Sequence, residues 1–207
     1  MNGDIMKMGN LEKLFINAER HKRRTIDRVQ NLITFVELRE NQRFLEVGCG
    51  AGAVSLYCAQ TYQFTVTGVD VDPEQIKLAQ FNADDLDVRF MEADATHLPF
   101  EDETFDITLS FGVMHHITNW LDALREITRV LNLNGYFIYM DIMYPGILAH
   151  IGKSFKHSYG VTTLDDFNQF LKESNLSEIY ASVSKSLIFN EYEGVFQKKG
   201  SNENKRL

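Results

Sequence analysis

Three glycines in five residues are the first feature with chemical content. Gly48, Gly50 and Gly52 sit in the run LEVGCGAG, Leu45 to Gly52. There a short strand-like segment, Arg43 to Val47, passes into a helix-forming run, Ala53 to Gln60. Glycine permits a sharp turn at such a junction and lets a ligand approach the peptide N–H groups that open the helix. The β-branched run Phe64 to Val69 ends at Asp70, about 20 residues beyond Gly50, the separation at which a carboxylate can accept hydrogen bonds from a ribose. Turn and acid together predict a site for a nucleoside-containing cofactor. Gly48-x-Gly50-x-x-Ala53 also satisfies the dinucleotide pattern, so charge must discriminate. Glu46 lies two residues before Gly48 and therefore on the same face of the strand. A carboxylate there would repel a pyrophosphate and would suit an ammonium or sulfonium. The alternative is that Glu46 satisfies a backbone group or a polar interior.

A second set of residues could handle protons. His115 and His116 follow the strand-like run Phe105 to Ser110. Histidine titrates near neutral pH, so either could be a general base, or it could shape a pocket through hydrogen bonds. His115, His116, Asp141, His150 and His157 could also converge after the fourth and fifth strands. None of these pairs has the i, i+4 spacing of helical zinc motifs, and no metal is assigned. Cys49 and Cys58 are too few for a disulfide framework and read as a small turn residue and a helix packing residue. Ile142 to Val161 is rich in apolar and aromatic side chains. It reads equally as an apolar acceptor pocket or as an ordinary core helix. Its Lys153, Lys156 and His157, like the cluster Arg20 to Arg24, fit solvated helix faces better than anion or nucleic-acid sites.

These residues need elements to hold them. Asn10 to Leu38 carries apolar residues at helical spacing, interrupted by the basic cluster, and predicts one long or two shorter helices. Beyond it strand and helix alternate, with strands at Arg43 to Val47, Phe64 to Val69, Val88 to Met91, Phe105 to Ser110 and Tyr136 to Met140. Asp72-Pro73-Glu74-Gln75 predicts a helix start, with Asp72 as N-cap, Pro73 at the first helical position and Gln75 completing a capping box. Asn119 to Leu131 predicts another helix, and Asn132 to Gly135 a turn. Such alternation indicates a parallel sheet with helices on both faces. After a helix at Thr163 to Ser174, the strand-like runs Glu178 to Ser184 and Leu187 to Gln197 almost abut. So short a gap permits an antiparallel hairpin and forbids a parallel crossover. The fold class is therefore α/β, a Rossmann-like doubly wound sheet of about seven strands, mostly parallel with a reversed C-terminal hairpin strand, plus an N-terminal helical cap. The cap covers residues 1–40, the main domain 41–197, and a polar tail 198–207.

Composition narrows the function. The formal net charge is −8, which argues against broad phosphate-backbone binding. No window approaches the roughly 18 unbroken apolar residues of a membrane span. The N-terminus lacks a signal-peptide core, so cytoplasmic residence is expected by elimination.

Four ordered segments between Arg43 and Asp141 resemble class I S-adenosylmethionine-dependent methyltransferases, specifically the small-molecule group that includes the ubiquinone and menaquinone methylases. LEVGCGAG is similar to the family's first motif. VTGVD, Val66 to Asp70, is similar to the second, whose final acid binds the ribose hydroxyls. EADATHLPF, Glu92 to Phe100, is similar to the third, in which Asp94 would contact the adenine amino group and the backbone N–H of Ala95 a ring nitrogen. FDITLSFGVMHHI, Phe105 to Ile117, with Leu124 to Leu131, is similar to the strand-four region and its helix. The resemblance implies S-adenosyl-L-methionine as cofactor. The cofactor residues expected are Glu46, Gly48, Cys49, Gly50, Gly52, Asp70, Val71, Asp94, Ala95, Ser110 and Phe111, with His115 and His116 as candidate catalytic residues. It implies methyl transfer by in-line displacement to a small-molecule acceptor, apolar or aromatic if Ile142 to Val161 forms its pocket. Asn132-Leu133-Asn134-Gly135 departs from the family's usual Lys-Pro-Gly-Gly. Rival readings are a nicotinamide-dependent oxidoreductase, a methyltransferase acting on RNA or protein, and a non-catalytic cofactor-binding module. Ser110-Phe111-Gly112-Val113 lacks the Pro-Pro-Tyr tetrapeptide of nucleic-acid amino methylases, which favours small molecules.

Overall fold

The computed structural model describes residues 19–84, 86–144, 160, 162–185 and 189–200. Seven strands form one sheet in the order β3-β2-β1-β4-β5-β7-β6. They are β1 (Arg43–Val47), β2 (Thr65–Asp70), β3 (Val88–Glu92), β4 (Phe105–Phe111), β5 (Leu131–Met143), β6 (Leu176–Lys185) and β7 (Asn190–Lys198). The pairs among β1 to β5 are parallel, and β7 runs antiparallel to both β5 and β6. The doubly wound sheet with a reversed hairpin is thus as the spacing required. Strand order turns back between β1 and β4, so their carboxyl ends diverge into a crevice where ligands bind in such sheets.

Helices cover both faces. On one, α1 (Glu19–Ile33) and α2 (Ala53–Tyr62) bury Val29, Leu32, Val54 and Cys58 against Phe44, Leu109, Ile138 and Val195. On the other, α4 (Trp120–Val130) and α5 (Leu164–Glu173) bury Leu124, Ile127 and Phe167 against Leu45, Val47, Phe137 and Tyr139. The alternation Phe44/Leu45/Glu46/Val47 therefore sends Glu46 to the α1/α2 face. Between these layers in sequence, α3 (Pro73–Ala83) packs Ile76 and Ala79 on Cys49 and Phe90 beside the glycine turn.

Local details differ from expectation in three places. Asp72 does cap α3, but it accepts the N–H of Glu74 at 2.9 Å. No capping box closes, because Gln75 is buried with neither amide atom hydrogen-bonded. The turn expected at Asn132 to Gly135 is absorbed into β5. The pairing jumps from Phe105 with Leu131 to Ile107 with Tyr136, and Asn134 adopts φ 62°. The extra residues form a bulge, not a strand end. Lys198 belongs to β7, not to a tail. Its buried ammonium donates to the carbonyls of Thr128 (3.0 Å) and Leu131 (2.6 Å) at the end of α4, where the helix leaves acceptors unpaired. Residues 1–18 of the expected cap and 201–207 lie outside the described set, as do 145–159 and 161 of the apolar segment.

Phe167 is the packing centre of the α5 face, stacked on Tyr139 at 4.7 Å and edge-on to Tyr192 at 5.0 Å. Phe167→Ala is expected to lower unfolding free energy by about 3–5 kcal/mol in urea titrations. A loss below about 1 kcal/mol would mean this face collapses readily around the void.

Candidate active site

The glycine turn is held from below by two bonds, in which the N–H groups of Gly48 and Cys49 donate to the Val69 carbonyl at 2.8 and 2.9 Å. Gly48 and Gly52 adopt φ +77° and +82°, a region that L side chains rarely enter. Space excludes a side chain as firmly. A Cβ on Gly48 would stand 2.2 Å from a Val113 methyl, and one on Gly52 2.6 Å from the Phe90 ring. Gly50 presents its backbone N–H to Asp70 Oδ2 at 2.9 Å, while Asp70 Oδ1 accepts the Asp72 N–H at 2.9 Å. Asp70 thus joins the turns after β1 and β2. Burial raises its pKa, opposed by these backbone donors.

Above the turn lies a cavity of about 430 Å³. Of the expected cofactor residues, Glu46, Gly48, Cys49, Gly50, Asp70, Val71, Ala95 and Phe111 line it, as do His115 and His116. Gly52, Asp94 and Ser110 do not. Gly52 caps α2 beneath the turn. Asp94 points its Oδ1 at the Thr96 backbone (2.8 Å) and hydroxyl (2.7 Å) while its neighbours Ala93 and Ala95 reach the cavity. Ser110 is fully buried, its hydroxyl without a hydrogen-bond partner.

Glu46 is held in a polar interior, where it accepts the Ser55 hydroxyl at 2.5 Å, and also borders the cavity. Only 4% exposed, its carboxyl is pushed up to about 8 by burial, with the Asp70 charge adding and the Ser55 bonds opposing. The rim near β4 and β5 holds a further buried carboxylate. Asp141 accepts His115 Nδ1 (2.6 Å) and the N–H groups of Met114 (2.6 Å) and Ile142 (2.7 Å). Three donors satisfy a fully buried acid. With the carboxylate accepting, Nδ1 carries the hydrogen of this bond. The His115 and His116 ring centroids lie 3.9 Å apart.

Among the described residues no group of three or more His, Cys, Asp or Glu is placed to hold a metal ion; His150 and His157 lie outside them. No helix among the described residues is long and apolar enough to cross a membrane. Cys49 and Cys58 are both free and buried.

Sequence reasoning missed one wall. His21, Lys22 and Thr25 of α1 line the cavity, although this stretch reads as a solvated face. The signal was present, because Thr25 continues the stripe of Val29, Leu32 and Ile33 one turn toward the N-terminus. His21 is held below its usual pKa by burial and by Arg24.

The residues from 45 to 139 match the model of a methyltransferase domain. The match spans a little under half of the chain. It is 38% identical over 110 residues to phthiotriol/phenolphthiotriol dimycocerosates methyltransferase 1 of Mycobacterium ulcerans (strain Agy99), covering 53% of this chain and 40% of that protein. It is 37% identical over 103 residues to the fatty-acid O-methyltransferase of Mycolicibacterium smegmatis (strain ATCC 700084 / mc(2)155), covering 49% of this chain and 38% of that protein. The chain thus matches about 40% of the length of these relatives. Geranyl diphosphate C-methyltransferase of Streptomyces coelicolor A3(2), solved with Mg2+, geranyl diphosphate and S-adenosyl-L-homocysteine, superposes with a TM-score of 0.70. That match covers 88% of this chain and 86% of the other at 12% identity, a likeness of fold.

Glu46 gives the fold a pH signature. Its folded pKa of about 8 lies above the ordinary 4.5, so between those values the folded state holds a proton that the unfolded state has lost. Its contribution to stability is complete below about pH 4.5 and is lost as pH rises through about 8. Urea titrations at pH 5, 6.5 and 8 should therefore show the wild type losing stability relative to Glu46→Gln as pH rises. Parallel pH curves for the two proteins would contradict this assignment.

Proposed function

We propose that this chain transfers a methyl group from S-adenosylmethionine to a small apolar acceptor, with His115 as general base for a nucleophile that arrives protonated. The observation that carries the reading is the pairing of His115 with buried Asp141 on the rim of the same cavity whose floor is the glycine turn and Asp70. When bound, the cofactor supplies a methyl group already activated by its sulfonium, so the protein's work is alignment and exclusion of water.

The residues present suit that cofactor. Gly50 leaves its side-chain position open, with no heavy atom nearer than the Gln75 amide oxygen at 3.8 Å, so a ligand can approach the backbone. Asp70 would hold the ribose hydroxyls through the acceptor capacity its two backbone bonds leave over. Asp94, though outside the lining, would turn to the adenine amino group, as the family resemblance implies. Glu46 would meet the ammonium. A cation beside it favours the ionised carboxylate, offsetting the burial that otherwise keeps it protonated.

Val113, Ile117, Met140 and Ile142 also line the cavity and would wall its acceptor end. Apolar walls favour an acceptor with an apolar body, and the names of the mycobacterial relatives, which refer to dimycocerosates and fatty acids, support that choice. Asp141 is a positioning residue. It fixes the tautomer that leaves His115 Nε2 free to accept a proton as the nucleophile attacks.

The test is His115→Ala with Asp141→Asn. S-adenosylhomocysteine affinity should stay within about twofold, while turnover falls by roughly 10²- to 10⁴-fold for His115→Ala and in the same direction for Asp141→Asn. Unchanged turnover in both variants would sink the base assignment, and no binding of S-adenosylhomocysteine by the wild type would sink the cofactor.

A further inference from the structure

The cavity that would hold the cofactor contains three acids, Glu46, Asp70 and Asp72, and three histidines. Among its described lining residues Lys22 is the only lysine or arginine. S-adenosylmethionine bears two cationic groups and a single anionic one, its α-carboxylate. Resting on the cofactor reading above, we propose that Lys22 of α1, with His21 and Thr25 beside it, receives that carboxylate while Glu46 receives the adjacent ammonium.

Topology puts these groups on one side of the sheet. Glu46 shares the parity of Phe44 and faces α1 and α2, and its partner Ser55 lies on α2. Helix α1 packs on the same face through Val29, Leu32 and Ile33. Its C-terminal half shares an apolar cluster with Phe44, Phe64 and Val66 near the β1 and β2 starts. Toward its N-terminus it reaches the carboxyl ends, where Arg28 lies 5.8 Å from the Phe111 ring centroid. There His21, Lys22 and Thr25 line the same cavity as Glu46, Phe111 and Met140. By contrast, Asp141 and Met114 belong to the opposite layer with Tyr139 and Trp120. The cation and the buried carboxylate thus line one cavity from the same side of the sheet.

The lysine is available for this task. Its side chain is 27% exposed and pairs with Glu19 at 3.0 Å, but Glu19 is 89% exposed. An i, i+3 surface pair of that kind contributes little and is easily exchanged. A carboxylate brought into the cavity is less solvated and gains more from the same ammonium. The helix itself is anchored independently of Lys22. Arg28, two turns on, bridges to Glu191 (2.9 Å) and Glu193 (3.1 Å) of β7 and lies 5.8 Å from the Phe111 ring centroid. Removing the Lys22 charge should therefore leave the helix in place.

The experiment compares two ligands on the full chain by calorimetry, S-adenosylhomocysteine and its α-carboxylate methyl ester. Lys22→Ala should weaken S-adenosylhomocysteine about tenfold and leave the ester within about twofold, and Lys22→Arg should restore most of the difference. Equal weakening of both ligands would overturn the proposal in favour of a structural role for α1. No weakening of either would overturn it in favour of the α2 N-terminus as carboxylate receiver. Failure of the wild type to bind S-adenosylhomocysteine at all would refute the cofactor reading itself, and the carboxylate proposal with it.

Discussion

The turn after β1 and the turn after β4 must touch, and the rest of the site depends on that contact. Val113 packs on the α-carbon of Gly48, so tightly that a Cβ there would overlap its methyl at 2.2 Å. The two turns are more than sixty residues apart in sequence, yet β1 and β4 are hydrogen-bonded neighbours from Phe44 with Ile107 to Val47 with Ser110. That adjacency is the switch point of a doubly wound sheet. It brings the glycine turn, which shapes one end of the cavity, against the 3₁₀ turn Met114–His116, which shapes the other. A bulkier residue at Gly48 would push the two halves of the cavity apart.

Each half is then fixed by a buried acid. Asp70 draws the β1 and β2 turns together through the N–H groups of Gly50 and Asp72. Asp141 draws the β4 turn onto β5 through Met114 and His115. A buried carboxylate is costly unless its oxygens find donors, so each acid holds its turn in the conformation that supplies them. Glu46 is the exception. Its one side-chain donor is Ser55, and it is the acid whose pKa rises to about 8. A carboxylate that the fold leaves under-compensated is a natural receiver for a cation from outside.

The α1 wall is held by a different kind of force. Helix α1 docks through an apolar stripe, and Arg28 bonds to Glu191 and Glu193 on the reversed strand β7. Tyr180 of β6 donates its hydroxyl to Glu193, and its ring stacks on Phe35 at 4.2 Å. The terminal hairpin therefore does more than complete the sheet. It supports the helix that lines the cavity.

Much of this was legible in the residues alone. The parallel order with a reversed end follows from alternation and from the short gap between the last two strands, because connection length limits strand direction. The glycine turn, Asp70 and Glu46 are legible because a backbone that must take positive φ, and an acid at a strand end, leave marks on residue type and spacing. The bulge at Asn132 to Gly135 was hidden, since a turn and a bulge draw on the same residues. The open capping box at Gln75 was hidden too, because burial against the glycine turn outweighs a local bond. That His115 and Asp141 could converge after the fourth and fifth strands was legible, but their hydrogen bond, and the place of His21, Lys22 and Thr25 at the cavity, were decided only by tertiary structure. Local spacing reports what a residue's own turn or strand demands, whereas which helix covers which strand depends on the burial of apolar faces distant in sequence.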